Sequence, residues 1–174
     1  MNGNGKRLVK AAQRNWNIWG KNFAREAEGL WLGASSLTYE ELLMALRRIE
    51  KKYLAECDLD AKAKLEMRRR VCEYELEFAL SHERQLTVCR RKFNQCASLG
   101  FTDAFREAHF RLRYAESVAR RGHLNAARTM IRGAVASLDL NSKDERLNKD
   151  QVRTYKRWAD RIVRSLESHS VHTS

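Results

Sequence analysis

The sequence predicts an all-α protein of about six helices, packed as a helical bundle or as a short array of antiparallel hairpins. The 174 residues contain no proline and only eight glycines, so few positions break a helix. Leu, Ala, Arg, Lys and Glu, which are good helix formers, dominate the composition. Apolar residues recur at helical spacing, and no convincing period-two strand pattern occurs.

The first predicted helix runs from about Lys6 to Leu32 and has a continuous apolar face. Basic side chains lie off that face, and no acidic residue precedes Glu26. Residues 1–33 are therefore predicted to form an amphipathic helix that is partly independent of the rest of the chain. Its apolar residues recur at steps of three or four: Leu8, Ala12, Trp16, Trp19, Phe23, Ala27 and Leu30.

Trp16, Trp19 and Phe23 are the candidate partner contacts on this helix. Aromatic side chains on one helix face suit docking onto the rest of the chain or onto a second subunit. The same face with its basic flank also suits an amphipathic helix that lies on a membrane surface. Docking is the preferred interpretation, because every amphipathic helix of the chain has an apolar face to cover.

Capping residues mark the later helices. Thr38 and Glu41 form a predicted capping box, the segment Asp58-Leu59-Asp60 is predicted to supply the next N-cap, and Gly100 is a predicted left-handed C-cap. Ser81-His82 is the one place where a turn or kink is expected inside the longest helix. These helices are predicted from Thr38 to near Cys57, Ala61 to Ser98, Thr102 or Asp103 to about Ala119, Leu124 to Leu138, and Asp150 to Leu166.

The length of the chain suits a single helical domain over residues 1–174. A second capping box is predicted at Ser142 and Glu145, between the last two helices. The polar residues 168–174 predict a disordered tail.

One pair of predicted helices, Phe105 to Leu138, carries small and apolar residues at the packing positions of a tetratricopeptide (TPR) hairpin: Ala115, Gly122, Ala127, Ile131 and Ala134. This segment resembles that family, and the resemblance implies close helix packing and peptide binding rather than catalysis. Arg111, Val118 and Asp139 stand where the family favours Trp, Tyr and Pro. The pattern does not recur 34 residues up or down the chain, so an ordinary helical hairpin with alanines at the crossover is the alternative.

The net charge of +12 favours acidic partners, which are nucleic acid, an anionic membrane surface or an acidic protein. Arginine outnumbers lysine in the basic clusters, and its planar guanidinium suits phosphate and carboxylate groups. The alternative is a solvated basic face that nearby acids partly neutralise, as Asp160 would Arg164. The candidate contacts with phosphate or an acidic partner are Arg68, Arg69, Arg70, Arg153, Lys156, Arg157, Arg161 and Arg164.

Catalytic and metal-binding motifs are absent from the sequence. His82, Cys89 and Cys96 are spaced by seven residues, which is about 10.5 Å of helix rise. Because zinc ligands must lie about 2.0–2.3 Å from one ion, these positions cannot share it. We therefore expect no enzyme activity, no metal and no cofactor. Four cysteines without a disulfide pattern favour a reducing, cytoplasmic location.

These observations predict a non-enzymatic, TPR-like helical module for protein–protein interaction or scaffolding, whose partner is another protein or a second copy of the chain. A basic helical protein associated with nucleic acid is the alternative. Peripheral membrane contact through the N-terminal amphipathic helix is a third hypothesis.

Overall fold

The computed structural model describes residues 19–33, 36–57, 59–82, 84–141 and 148–171. Within these ranges the chain forms helices and no strand, which confirms the predicted all-α class. Trp16 and the predicted capping box at Ser142 and Glu145 lie outside the described residues. The helices are α1 (19–32), α2 (Tyr39–Glu56), α3 (Ala61–Ser81), α4 (Leu86–Leu99), α5 (Ala104–Ala119), α6 (Leu124–Asn141) and α7 (Lys149–Val171).

The predicted helix starts are confirmed at three places. The Glu41 N–H donates to the Thr38 hydroxyl at 3.2 Å, and the Thr38 N–H donates to the Glu41 carboxylate at 2.7 Å, which completes the capping box. The backbone and side-chain hydrogen bonds from Thr38 lower the pKa of Glu41. Asp60 and Asp103 accept N–H groups of their own first turns at 2.7 and 2.8 Å. Each bond satisfies a backbone donor that has no partner within the helix.

The predicted long helix over Ala61–Ser98 is two helices in the structure, α3 and α4, and α3 ends at Ser81, where a turn or kink was expected. No proline or glycine stands at the break, so long-range hydrogen bonds must override helix propensity there. The Arg84 N–H donates to the Ala79 carbonyl at 3.1 Å, which closes the end of α3. The Arg84 carbonyl in turn accepts from the Arg121 guanidinium at 3.0 Å and from the Cys89 thiol at 3.4 Å.

Other boundaries differ by a few residues. Helix α6 continues three residues past Leu138, to Asn141, and α7 begins at Lys149. Helix α7 also continues past Ser168, where the tail was predicted to begin, and ends at Val171. Gly100 has the predicted positive φ, 78°, but its ψ of 140° is extended rather than left-handed helical.

The chain divides into two compact units, residues 1–78 and 79–174. Unit 1 contains α1, α2 and α3 as far as Phe78. Unit 2 contains the last turn of α3 and all of α4 to α7. The single domain over residues 1–174 stays a prediction.

Aromatic packing around Phe23 forms the core of unit 1. Phe23 is only 1% exposed and meets the rings of Tyr53 and Tyr74 edge-on, with centroids 5.7 and 6.4 Å away. The Tyr53 hydroxyl donates to the Glu26 carboxylate at 2.7 Å, and Lys52 donates to it at 2.9 Å. These two bonds hold the pKa of Glu26 below its ordinary value. Helix α1 is thus held against α2 by the ring contact of Phe23 with Tyr53 and by the ion pair of Glu26 with Lys52.

Helix α3 brings acidic side chains into unit 1. The side chain of Glu75 is 2% exposed, and its carboxylate lies 2.5 Å from Nη2 of Arg47 on α2. Nη1 of Arg47 lies 2.7 Å from Glu50. Burial alone would lower the pKa of Arg47, but the hydrogen bonds and charges of Glu50 and Glu75 outweigh it and raise that pKa. Leu65, on the same helix, is 40% exposed.

Successive helices of unit 2 run antiparallel. Phe93 of α4 stacks on Tyr114 of α5, with ring centroids 5.1 Å apart. Phe101, later in the chain, stacks on the earlier residue Phe110 of α5 at 5.8 Å, as expected when the two segments run in opposite directions. Between α5 and α6, Glu107 pairs with Ser137, and Arg111 lies against Gly133. Between α6 and α7, Lys156 reaches Asp139 at 2.6 Å. Short connections between antiparallel neighbours are typical of helical bundles.

The α5–α6 contact explains one departure from the TPR pattern. Arg111 donates to Glu107 at 2.7 and 3.0 Å, and Glu107 also accepts from the Ser137 hydroxyl at 3.0 Å. A Cβ at position 133 would lie 2.8 Å from Nη1 of Arg111. Gly133, which has no side chain, therefore leaves room for the guanidinium of Arg111, the residue that stands where the TPR family favours Trp.

The turn between α5 and α6 requires glycine. Gly122 has φ of 80°, and its N–H donates to the Ala119 carbonyl at 2.9 Å. The His123 N–H donates to the Val118 carbonyl at 3.0 Å. This pair of bonds is the Schellman motif, and the tight turn predicted here is confirmed.

We expect Gly122→Ala to destabilise the protein by about 1 kcal/mol, because a Cβ disfavours the left-handed conformation. Gly29→Ala is the matched control, since Gly29 is helical and a Cβ there meets no atom within 4 Å. That control should stabilise the protein by about 1 kcal/mol through helix propensity. Urea denaturation followed by circular dichroism measures both. Equal effects of the two substitutions would contradict the role of Gly122.

Candidate functional site

A cleft of about 500 Å³ opens in unit 2 between the end of α5, the start of α6 and the middle of α7. Its size lies within the range of about 300–1,000 Å³ that is typical of ligand-binding clefts. The lining residues are Glu116, Ala119, Arg120, Leu124, Trp158, Arg161, Ile162, Ser165 and Leu166.

The inner surface of the cleft is apolar. Ile162 and Leu166 of α7 are buried, and Ala119 and Leu124 are half-buried. Positions 158, 162 and 166 are four residues apart, so Trp158, Ile162 and Leu166 lie one above another on the same side of α7. This surface suits an apolar side chain better than a solvated polar group.

Glu116 and Trp158 join two walls of the cleft. The indole Nε1–H of Trp158 donates to the Glu116 carboxylate at 2.6 Å, a short bond in which the acceptor is charged. Tryptophan has no other hydrogen-bonding group, so this bond sets the orientation of its ring. One oxygen of the carboxylate that lines the cleft is therefore engaged by a hydrogen bond within the protein.

An aromatic cluster supports Trp158 from behind. The ring of His109 lies edge-on to Trp158 and Tyr155, with centroids 5.6 and 6.4 Å away. Tyr155 also stacks on Phe105 at 5.7 Å. Burial raises the pKa of Tyr155, and the charge of Arg106 offsets part of that effect. Trp158, the ring that lines the cleft, is therefore held in place by packed rings on α5 and α7.

The arginines Arg120 and Arg161 supply the positive charge of the cleft. Both are exposed. Five of the predicted basic contacts lie on α7 and are called here the basic ridge: Arg153, Lys156, Arg157, Arg161 and Arg164. Arg161 is the one member of this ridge that lines the cleft. Among the described residues it forms no hydrogen bond or ion pair.

The rest of the predicted ridge is exposed and partly neutralised. Arg153 lies 3.4 Å from Asp150, and Lys156 lies 2.6 Å from Asp139. Arg164 donates to the Asp160 carbonyl at 3.4 Å rather than to its carboxylate. Arg157 is exposed on the same side of α7 and lies outside the cleft.

The other predicted basic cluster, Arg68 to Arg70, lies on α3 in unit 1. Arg70 donates to the Glu66 carboxylate at 3.2 Å, and Arg69 lies 4.0 Å from it. Arg68 is exposed. One glutamate thus sits beside two members of the cluster, as expected for a solvated helix face.

The predicted contact surface of α1 faces the core of unit 1 where the structure describes it. Phe23 is buried, and Trp19 is half-buried with its ring edge-on to Tyr53 at 5.6 Å. Trp31, near the end of the same helix, stacks on Phe78 at 6.3 Å. The aromatic face of α1 was predicted to dock onto the chain, onto a second subunit or onto a membrane. Over residues 19–32 it packs against the chain itself. Phe23 is therefore not an exposed partner contact, because the core covers its ring.

Sequence reasoning missed Trp158 and Glu116 as site residues. Trp158 carried a signal, because it continues the row of Ile162 and Leu166 at a spacing of four residues. Glu116 carried none, since its role depends on a side chain 42 residues later. For Arg120 the sequence indicated only that it belongs to a pair of adjacent basic residues, Arg120-Arg121.

The cysteines are all free thiols and all buried. Burial raises the pKa of Cys57 and of Cys89, which keeps both in the thiol form. In the described ranges no group of three or more His, Cys, Asp or Glu side chains is placed to hold a metal ion. Among the described helices, none is both long enough and apolar enough to cross a membrane.

Comparisons with known proteins add no relative. No family model, no curated protein and no solved structure matches this chain. The resemblance to a TPR hairpin therefore rests on its own residues. Of these, Ala115, Ala127 and Ala134 are fully buried, and Ile131 is 5% exposed.

We expect the Glu116–Trp158 bond to couple α5 to α7. In a double-mutant cycle with Glu116→Ala and Trp158→Phe, each of which removes the bond, the coupling energy should be about 1.5 kcal/mol, because the acceptor is charged and the bond is partly buried. Urea denaturation of the wild type, the two single variants and the double variant measures it. Strictly additive effects would show that the bond does not stabilise the cleft.

Proposed function

We propose that this protein is a non-enzymatic, TPR-like protein-interaction module that binds a segment of a partner protein in the cleft of α5, α6 and α7. The observation that carries the proposal is the cleft itself, which combines an apolar inner surface with a fixed tryptophan wall and two arginines. Protein segments commonly bind by placing an apolar anchor in such a depression, with polar groups around it.

The helical hairpin provides a second line of support. Helices α5 and α6 pack through fully buried alanines, so their backbones approach closely and the turn at Gly122 places the start of α6 beside the cleft. TPR-like proteins bind peptides on surfaces built from such hairpins, which is what the resemblance implies here. Four buried free thiols fit a reducing, cytoplasmic setting.

The cleft is tested by filling it with a bulky side chain. Ser165 is exposed and lines the cleft, so Ser165→Trp should fill it while leaving the core of unit 2 intact. Ser168→Trp is the matched control, because Ser168 is also exposed on α7 but lies outside the cleft. Peptides selected from a random display library against the full chain should bind Ser165→Trp at least tenfold more weakly. The control should bind them within twofold of wild type.

Circular dichroism of both tryptophan variants shows whether each is folded. Selected peptides that bind Ser165→Trp as tightly as the control would exclude the cleft as the binding site. A selection that enriches no peptide would count against the interaction module.

The basic face of α7 favours a second candidate, a protein associated with nucleic acid. Arg157 and Arg161 are exposed on neighbouring turns and have no acidic partner among the described residues. Guanidinium groups in such a row suit successive phosphates, and the net charge of +12 adds long-range attraction. The paired neighbours Arg153 and Lys156 reduce that attraction, which is why this candidate ranks second.

If nucleic acid is the partner, the affinity for a duplex or single-stranded oligonucleotide should fall steeply with salt. The slope of log affinity against log salt is about −0.9 for each phosphate contacted on a duplex. Arg157→Glu and Arg161→Glu should then weaken binding to a similar extent. Binding that does not change with salt, or no binding at all, would exclude this candidate.

A further inference from the structure

The charges that line the cleft are unbalanced. Arg120 and Arg161 contribute two positive charges, and Glu116 contributes one negative charge. The Glu116 carboxylate already accepts the indole N–H of Trp158 at 2.6 Å. The lining therefore carries one net positive charge, and one oxygen of its carboxylate is already engaged by Trp158.

The helix ends at the cleft add to this bias. Helix α6 begins at Leu124, and the first N–H groups of a helix carry partial positive charge. At the end of α5 the opposite charge is covered, because Gly122 and His123 donate to the Ala119 and Val118 carbonyls. Arg121 donates to the Ser117 carbonyl at 2.9 Å. The negative end of α5 is thus neutralised, and the positive end of α6 is left to act on the cleft.

Three arginines of α7, Arg157, Arg161 and Arg164, have no carboxylate partner among the described residues, and Arg161 is the one of them that lines the cleft. Arg153 and Lys156, by contrast, have carboxylate partners. A guanidinium group presents a planar pair of donors that matches a carboxylate in two-point contact. Arg161 directly precedes Ile162 in the sequence, and both residues line the cleft together with Leu166. A single ligand can therefore meet both the apolar surface and the charge.

We infer that the segment bound in the cleft carries a carboxylate within one or two residues of its apolar anchor, and that Arg161 binds that carboxylate. This inference rests on the proposed function and names its partner class as an acidic, apolar peptide. The carboxylate is either an Asp or Glu side chain or the free carboxyl end of a chain. The apolar inner surface favours a peptide over nucleic acid, which offers phosphate but no aliphatic group to fill the space beside Ile162 and Leu166.

The experiment uses the full chain and peptides from the display selection. The enriched sequences should place Asp, Glu or the free carboxyl end next to Leu, Ile, Met or Phe. For the tightest synthetic peptide, replacing the acid with its amide or amidating the chain end should weaken binding about tenfold. Whichever of these two changes has the effect identifies the source of the carboxylate.

Arg161→Glu should weaken binding of the same peptide about tenfold or more, and less so at high salt, because an exposed charge pair is screened. Arg157→Glu is the matched control. It makes the same change of charge on an exposed residue of the same helix outside the cleft, so it should leave binding within twofold of wild type.

The outcomes separate the inference from the proposed function. Enriched peptides that lack acids, yet lose binding in Ser165→Trp, would overturn the carboxylate and keep the cleft. Equal losses in Arg157→Glu and Arg161→Glu would also overturn it, since they would reflect the general charge of α7. Binding that Ser165→Trp does not affect would overturn the proposed function itself.

Discussion

Helix α5 is the constraint on which unit 2 depends, because it packs against three other helices at once. Its contacts are the Phe93–Tyr114 stack toward α4, the Glu107–Ser137 bond toward α6 and the Glu116–Trp158 bond toward α7. A helix buried on so many sides cannot have a single apolar face, so polar side chains on it must find partners inside the protein. Ser117 is one example, since it is buried and accepts from Arg121.

The cleft follows from this arrangement. Helix α5 ends at the Gly122 turn, and α7 continues past that end, so the apolar row of α7 extends beyond the helix that covers its first half. Ile162 and Leu166, though buried, line the cleft that remains there, together with the exposed side chains of Arg120 and Arg161. The charge and the apolar surface of the candidate site thus have one geometric cause, a difference in helix length beside a tight turn.

Local signals in the sequence were enough for most of the fold. Thr38, Asp60 and Asp103 cap helices where their short side chains predict it, because capping depends only on neighbours three residues away. The place of the break between α3 and α4 was expected at Ser81-His82, but the bond that ties it to Arg121 was not, since Arg121 lies far along the chain. The candidate site was the least predictable part. Arg161 was identified from spacing on α7, whereas Glu116 acquires its role from a helix that begins 33 residues later.

The bond from Arg121 to the Arg84 carbonyl spans 37 residues and crosses two helices. The loop that it closes contains both α4 and α5, so the residue that follows α5 is tied to the corner between α3 and α4. Loss of the Arg121 side chain would therefore remove a hydrogen bond from a corner that lies 37 residues earlier in the sequence.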